Sequence, residues 1–226
     1  EYAESIDRVV AGPERKSRVV NEKEKEITAY HEAGHALVGF FLENADNPYK
    51  VTIVARGMSG GHTRYLPEED RKLWSRNQFE DMMAAAIGGR VAEEIIFKEI
   101  TTGASNDLEQ ATNIAKTMVT RYGMSNKLGP RTFGKREEMI FLGKEISEQR
   151  DYSEGVAAAI DEEVHELLDN AYKNASRIIA SNRDKLDELA KYLMQNETIE
   201  GDQLTTMLDD NSTASGNATA PSPSSA

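Results

Sequence analysis

Three side chains within five residues could do chemistry together: His31, Glu32 and His35, in the stretch His31-Glu-Ala-Gly-His35. The histidines are four positions apart, a rotation of about 400° on a helix, so their imidazoles stand nearly one above the other and can grip a single ion. Glu32 is offset by one step. Its carboxylate can stay beside the metal's water instead of on the metal, and take the proton as that water attacks a carbonyl. This is the mechanics behind the H-E-x-x-H pattern of zinc hydrolases. At average composition, a chain of this length would show the pattern by accident in roughly half a percent of cases, so chance is a weak competitor. The bland alternative is a pair of histidines satisfied by hydrogen bonds on a structural helix face.

Catalytic zinc normally has three protein ligands and leaves a fourth position for water. The sequence contains no cysteine, which removes thiolate ligands, disulfides and a cysteine nucleophile, and fits a reducing compartment. His62 lies in a glycine-rich hairpin, and His165 sits among acidic residues where a solvated face is expected. Carboxylates remain: Glu93 and Glu94 in Arg90-Val-Ala-Glu-Glu-Ile95, and Asp107 in Thr101-Thr-Gly-Ala-Ser-Asn-Asp107. Spacing alone does not choose among them. Asp107 opens a helix, where a carboxylate also serves the helix dipole, and the glutamate pair could equally be surface charge.

The elements that must position these residues read as mainly α. From Glu22, Ile27, Tyr30, Ala33, Leu37 and Phe40 or Phe41 recur at spacings of three and four, predicting a helix of about five turns that carries the histidines. Lys50–Ala55 is β-branched and extended, and His62–Tyr65 can return as its partner, so a small β-hairpin or sheet comes after that helix. Asn77–Phe97 reads as a helix whose Gly88-Gly89 pair permits a bend or a close helix contact. Ser105 or Asn106 can cap the next helix, from about Asp107 to Tyr122, which Gly123 stops. Gly129–Gly143 is irregular apart from an apolar run at Met139–Leu142. Helices from about Ser153 to Ala180 and from about Arg183 to Met194 form a C-terminal helix hairpin. The expected division is a connection at 1–20, a peptidase domain at 21–209 and a disordered Ser/Thr/Asn/Gly/Pro tail at 210–226.

Composition excludes some partners. The 226 residues carry 39 Asp plus Glu against 27 Lys plus Arg, a formal net charge of -12, so the surface repels phosphate backbones and no nucleic acid is expected. No apolar run approaches the roughly 20 residues that cross a bilayer. The chain begins with Glu1, and residues 1–20 look like the end of a helix and a linker, as in a piece of a longer protein.

With these stretches in view, the sequence resembles the peptidase domain of the FtsH family, the membrane-bound, ATP-dependent AAA zinc metalloproteases. The resemblance is carried by Thr28-Ala-Tyr-His-Glu-Ala-Gly-His-Ala36, Val51-Thr-Ile53, Gly88-Gly-Arg-Val-Ala-Glu-Glu94 and Thr102-Gly-Ala-Ser-Asn-Asp-Leu108, and extends from Asp7 to about Leu208. It implies one zinc per chain with Asp107 as third ligand, Glu32 as general base, and Glu93 orienting a ligand histidine. It also implies that the strand region Val51, Thr52, Ile53, Gly61, His62 and Thr63 receives extended, unfolded or membrane-derived polypeptide substrates by backbone pairing. The family's transmembrane segment and ATPase module would precede the peptidase domain, with residues 1–20 as the end of that module and the linker. ATP would bind only in that module, because the sequence has no G-x-x-x-x-G-K-[ST] loop. The full-length protein is expected to be a membrane-anchored homo-hexamer in a bacterial inner membrane, with this domain soluble on the cytoplasmic side. The rival readings are a free-standing zinc hydrolase using Glu93 or Glu94 as ligand, and a non-enzymatic helical interaction module.

Overall fold

Helix α1 (Glu22–Phe41) starts where the Asn21 side chain accepts a hydrogen bond from the Lys23 N–H, with Glu22 and Glu24 favourably placed at the positive end of the helix dipole. The structure is a computed structural model and describes residues 21–55, 60–66, 71–136, 148–149 and 151–209. The expectations for residues 1–20, for the 210–226 tail and for the run Met139–Leu142 lie outside them. From His31 to Gly39 every residue of α1 is buried. The sequence suggested a single apolar stripe, yet Ile27, Tyr30, Phe40 and Phe41 are only half-buried while Ala29, Ala33, Ala36 and Gly34 are fully enclosed. Small residues win these positions because α1 is the central helix, with partners closing on it from several sides.

The closest approach is to α2 (Arg76–Phe97). A Cβ placed on Gly34 would lie 2.6 Å from the Gly88 carbonyl oxygen, and one on Gly88 would lie 2.7 Å from the Gly34 carbonyl oxygen. The two backbones therefore touch where each lacks a side chain, which is the close contact that the Gly88-Gly89 pair allowed. A Gly34→Ala protein is expected to lose about 1–3 kcal/mol of stability through overpacking, read as a lower urea midpoint. An unchanged midpoint would mean that the helices part at this crossing without cost.

α2 begins with a reciprocal cap, in which the Ser75 hydroxyl accepts from the Gln78 N–H and the Gln78 side chain accepts from the Ser75 N–H. A 3-10 turn (Thr102–Ala104) leads directly into α3 (Ser105–Thr120). Neither Ser105 nor Asn106 caps it: the capping position is Ala104, without a side-chain hydrogen bond, and Ser105 is already helical. The 3-10 turn supplies the lead-in instead, because Thr101 accepts from the Gly103 N–H. Gly123, at φ +61°, turns the chain after α3 as expected for a glycine stop.

Strand β1 (Asn47–Thr52) pairs antiparallel with β2 (His62–Leu66), aligning Val51 with Thr63 and Thr52 with His62. Beyond β2, two short strands, β3 (Lys135–Arg136) and β4 (Glu148–Gln149), form a separate pair. The C-terminal hairpin consists of α4 (Glu154–Ser181) and α5 (Arg183–Asn196), whose helices splay so that α4 lies on α2 and α3 while α5 lies on α1. After α5 come two elements that the sequence did not lead us to expect, β5 (Thr198–Glu200) and α6 (Asp202–Leu208). β5 pairs antiparallel with β1, giving a three-stranded sheet in the order β2-β1-β5. β1 is thus the central strand, and β2 is an edge among the described residues. No helix among them is long and apolar enough to cross a membrane.

Candidate metal centre

The i, i+4 spacing on α1 does what geometry requires of it: His31 and His35 meet edge to face, with ring centroids 4.6 Å apart and Nε2 atoms 3.0 Å apart. Each ring is held by its other nitrogen. His31 Nδ1 lies 2.6 Å from Glu93 Oε1 on α2, and His35 Nδ1 lies 2.8 Å from the Ala85 carbonyl oxygen. Because a carbonyl can only accept, His35 donates from Nδ1, and its Nε2 offers a lone pair. Glu93 draws the His31 Nδ1–H in the same way. Two ring lone pairs 3.0 Å apart repel unless they share a cation, whether a proton or a metal ion.

The first turn of α3 brings Asp107 to the same point, with Oδ2 3.2 Å from His31 Nε2 and 3.5 Å from His35 Nε2. Zinc bonds of about 2.0–2.1 Å in a tetrahedron put ligand atoms roughly 3.3 Å apart, so the observed separations fit that ion. Among the described residues this trio is the group of His, Asp and Glu side chains able to hold a metal. Neither Glu93 nor Glu94 belongs to it. Glu93 is fully buried, and its second oxygen accepts the Thr101 N–H at 3.0 Å, which ties the ligand-bearing turn before α3 to the ring of His31. His165 is exposed on α4, as its acidic neighbours suggested.

The electrostatics reflect this packing. Burial works against a charged His31, yet the carboxylates of Asp107 and Glu93 outweigh it and push the pKa up to about 10 in the metal-free chain. Burial likewise opposes ionised Asp107 and Glu93, but hydrogen bonds from the histidines, and for Glu93 from Thr101, hold both carboxyls below the usual range. Glu32 behaves oppositely: burial raises its pKa despite the nearby histidines and the Thr63 hydroxyl.

Gly89 belongs to this site as well, although the sequence does not mark it. A Cβ there would sit 2.6 Å from His35 Nε2 and 2.7 Å from His31 Nε2, so the missing side chain is the space in which the two rings converge. The glycine pair is visible in the sequence, but nothing local in it tells which glycine faces a helix backbone and which faces imidazoles. A Gly89→Ala protein is expected to bind zinc about 10–100-fold more weakly, measured by competition with a chromogenic chelator. Undiminished affinity would show that the rings can move aside.

The model of peptidase family M41 matches residues 18–207. The chain belongs to peptidase family M41. Among similar proteins, the ATP-dependent zinc metalloprotease FtsH 1 of Sphaerobacter thermophilus is 59% identical over 210 residues, covering 93% of this chain and 32% of that protein. FtsH 1 of Thermomicrobium roseum is 55% identical with the same coverage. FtsH of Thermotoga maritima is 49% identical over 211 residues, covering 93% of this chain and 35% of that protein. This M41 chain therefore spans about a third of the length of the curated relatives it matches. As a member of that family it is a peptidase domain.

Two of the other residues singled out in this M41 domain, Gly61 and Thr63, lie against Glu32. The Thr63 hydroxyl, on β2, is 2.9 Å from Glu32 Oε2 and 3.1 Å from the Glu32 carbonyl oxygen. A Cβ on Gly61 would stand 2.9 Å from both Glu32 Cγ and Glu32 Oε1. Thr63 therefore faces the carboxylate, and Gly61 clears the space beside it. Val51 and Thr52 lie in β1, with neighbours on both sides, and the Ile53 N–H donates to the Glu197 carbonyl oxygen at 2.9 Å. His62 aligns with Thr52 in the β1/β2 register. Of the two strands, only β2 retains an edge among the described residues to which an extended chain could add.

Proposed function

We propose that this chain is the peptidase module of a larger ATP-dependent protease, hydrolysing peptide bonds in unfolded or membrane-derived polypeptides. The observation that carries the reading is the convergence of His31 Nε2, His35 Nε2 and Asp107 Oδ2 within 3.5 Å, on the turn of α1 that also bears Glu32. A zinc ion held there would supply Lewis acidity toward the scissile carbonyl and the attacking water. His31, His35 and Asp107 hold the ion, and Glu93 fixes the His31 ring in one tautomer and orientation. Glu32 takes the proton of the attacking water and passes it to the leaving amine, a task suited by a carboxylate whose burial raises its affinity for protons. The Thr63 hydroxyl keeps that carboxylate aimed. The open edge of β2 pairs with substrate backbone, a mode of recognition that tolerates many sequences.

The relatives are named ATP-dependent and are about three times as long, which supports an ATPase module outside this chain. The resemblance further supports a membrane-anchored hexamer with this domain on the cytoplasmic side of a bacterial inner membrane. Chelation of the metal is expected to abolish casein cleavage, and titration with zinc to restore it fully at one equivalent per chain. Cleavage persisting in demonstrably metal-free protein would remove the basis of the proposal.

A further inference from the structure

We propose that the groove between α2 and α3 is a distal subsite for an apolar side chain of the polypeptide substrate, several residues from the bond that is cut. This rests on the peptidase reading above and adds a site to it. The groove has a volume of about 570 Å³ and is lined by Phe79, Met82, Ile114 and Tyr122 together with polar residues that include Asn106 and Gln110. Tyr122 is 54% exposed and stacks on Phe79, with ring centroids 5.4 Å apart. Phe79 stacks in turn on the exposed Trp74 at 6.0 Å. Three aromatic rings laid in a ladder at the surface offer area that water solvates poorly and that an apolar side chain would cover.

Position in the fold points to a substrate as occupant. On α2, Phe79, Met82, Ala86 and Gly89 recur at spacings of three, four and three, so one stripe runs from the aromatic ladder to the glycine beneath the histidine rings. On α3, Thr117, Ile114, Gln110 and Asp107 repeat the same spacings in reverse, ending on the carboxylate beside Nε2 of both histidines. Both stripes therefore point from the groove toward the metal centre, and Asn106 in the groove lining is the residue next to Asp107. Ten residues of helix from Gly89 to Phe79 measure about 15 Å. An extended chain covers that distance in about four or five residues. Peptide bound at the metal would thus reach the ladder with the fourth or fifth side chain from the scissile bond. The chemistry that fits is aromatic or aliphatic, since Glu109 on the groove wall and the chain's net charge of -12 disfavour an acidic side chain.

The test uses quenched fluorescent peptides that share one scissile sequence and carry Phe or Ser at the fourth and fifth positions on either side of it. On one side, kcat/KM for the Phe peptide is expected to exceed that for the Ser peptide about tenfold. Tyr122→Ser and Met82→Gln should each erase most of that preference. The same preference should appear in affinity, by fluorescence anisotropy, for the Glu32→Gln protein loaded with zinc, which separates the groove from the chemical step. A Phe preference that survives both groove substitutions, or no preference on either side while the peptides are still cut, overturns the subsite and leaves the peptidase reading intact. Sedimentation of the same variants covers the remaining occupant. If Tyr122→Ser dissociates an oligomer and slows both peptides equally, the groove is a contact between copies and the proposal is wrong. Zinc-loaded protein that cuts neither peptide nor casein would overturn the peptidase reading itself, and the subsite with it.

Discussion

A Glu32→Gln protein should keep its zinc and lose cleavage, with kcat on casein-type substrates falling by about 10²–10⁴-fold, the usual share of a positioned general base. The substitution keeps the length and shape of the side chain, and the amide oxygen can still accept from the Thr63 hydroxyl that now sits 2.9 Å from Glu32 Oε2. His31, His35 and Asp107 keep the positions that bring their donor atoms within 3.0–3.5 Å. What disappears is an atom able to accept a proton from water. Metal analysis beside the kinetics separates the outcomes. Retained zinc with lost cleavage assigns Glu32 to the proton transfer. Loss of both would make Glu32 a support of the metal centre instead, and retained cleavage would remove it from the chemistry.

The histidine pair and the helix beneath it were legible because their geometry is local. A four-residue spacing on one helix fixes where two side chains point, whatever the rest of the fold does. The helices from Asn77, Asp107, Ser153 and Arg183 were visible for the same reason, through apolar periodicity and stops such as Gly123. The third carboxylate was not readable from spacing, because Glu93 and Asp107 come from different helices and reach His31 across 62 and 76 residues of chain. Only the resemblance to known peptidases ranked them. The third strand was missed because Thr198–Glu200 is three residues long and acquires its identity from a partner, β1, almost 150 residues earlier. With β5 paired to one side of β1, the strand of the expected hairpin left at an edge among the described residues is β2. The stripe on α1 misled because burial on all sides rewards small residues, so Ala29, Ala33 and Gly34 carry the packing while the larger Ile27 and Phe40 stay half-exposed.

Removing Asp107 should be as damaging as removing the base, but by a different route. In Asp107→Ala, zinc content is expected to fall well below one per chain and cleavage to fall with it. Two histidines alone leave the ion short of the three protein ligands usual at a catalytic site. The competing role for Asp107 is to complement the dipole at the start of α3, where the structure shows no side-chain cap. An exposed charge in that role contributes about 0.3–1 kcal/mol, which would lower the melting temperature slightly and leave zinc stoichiometry untouched. The two measurements therefore point in different directions for the two roles. Glu93→Gln supplies the contrast, since its carboxylate meets His31 Nδ1 and the Thr101 N–H and not the Nε2 side. That protein should still reach one zinc per chain, with affinity weakened about 10–100-fold. If Asp107→Ala holds a full equivalent of zinc and cuts normally while Glu93→Gln does neither, the two carboxylates must exchange roles.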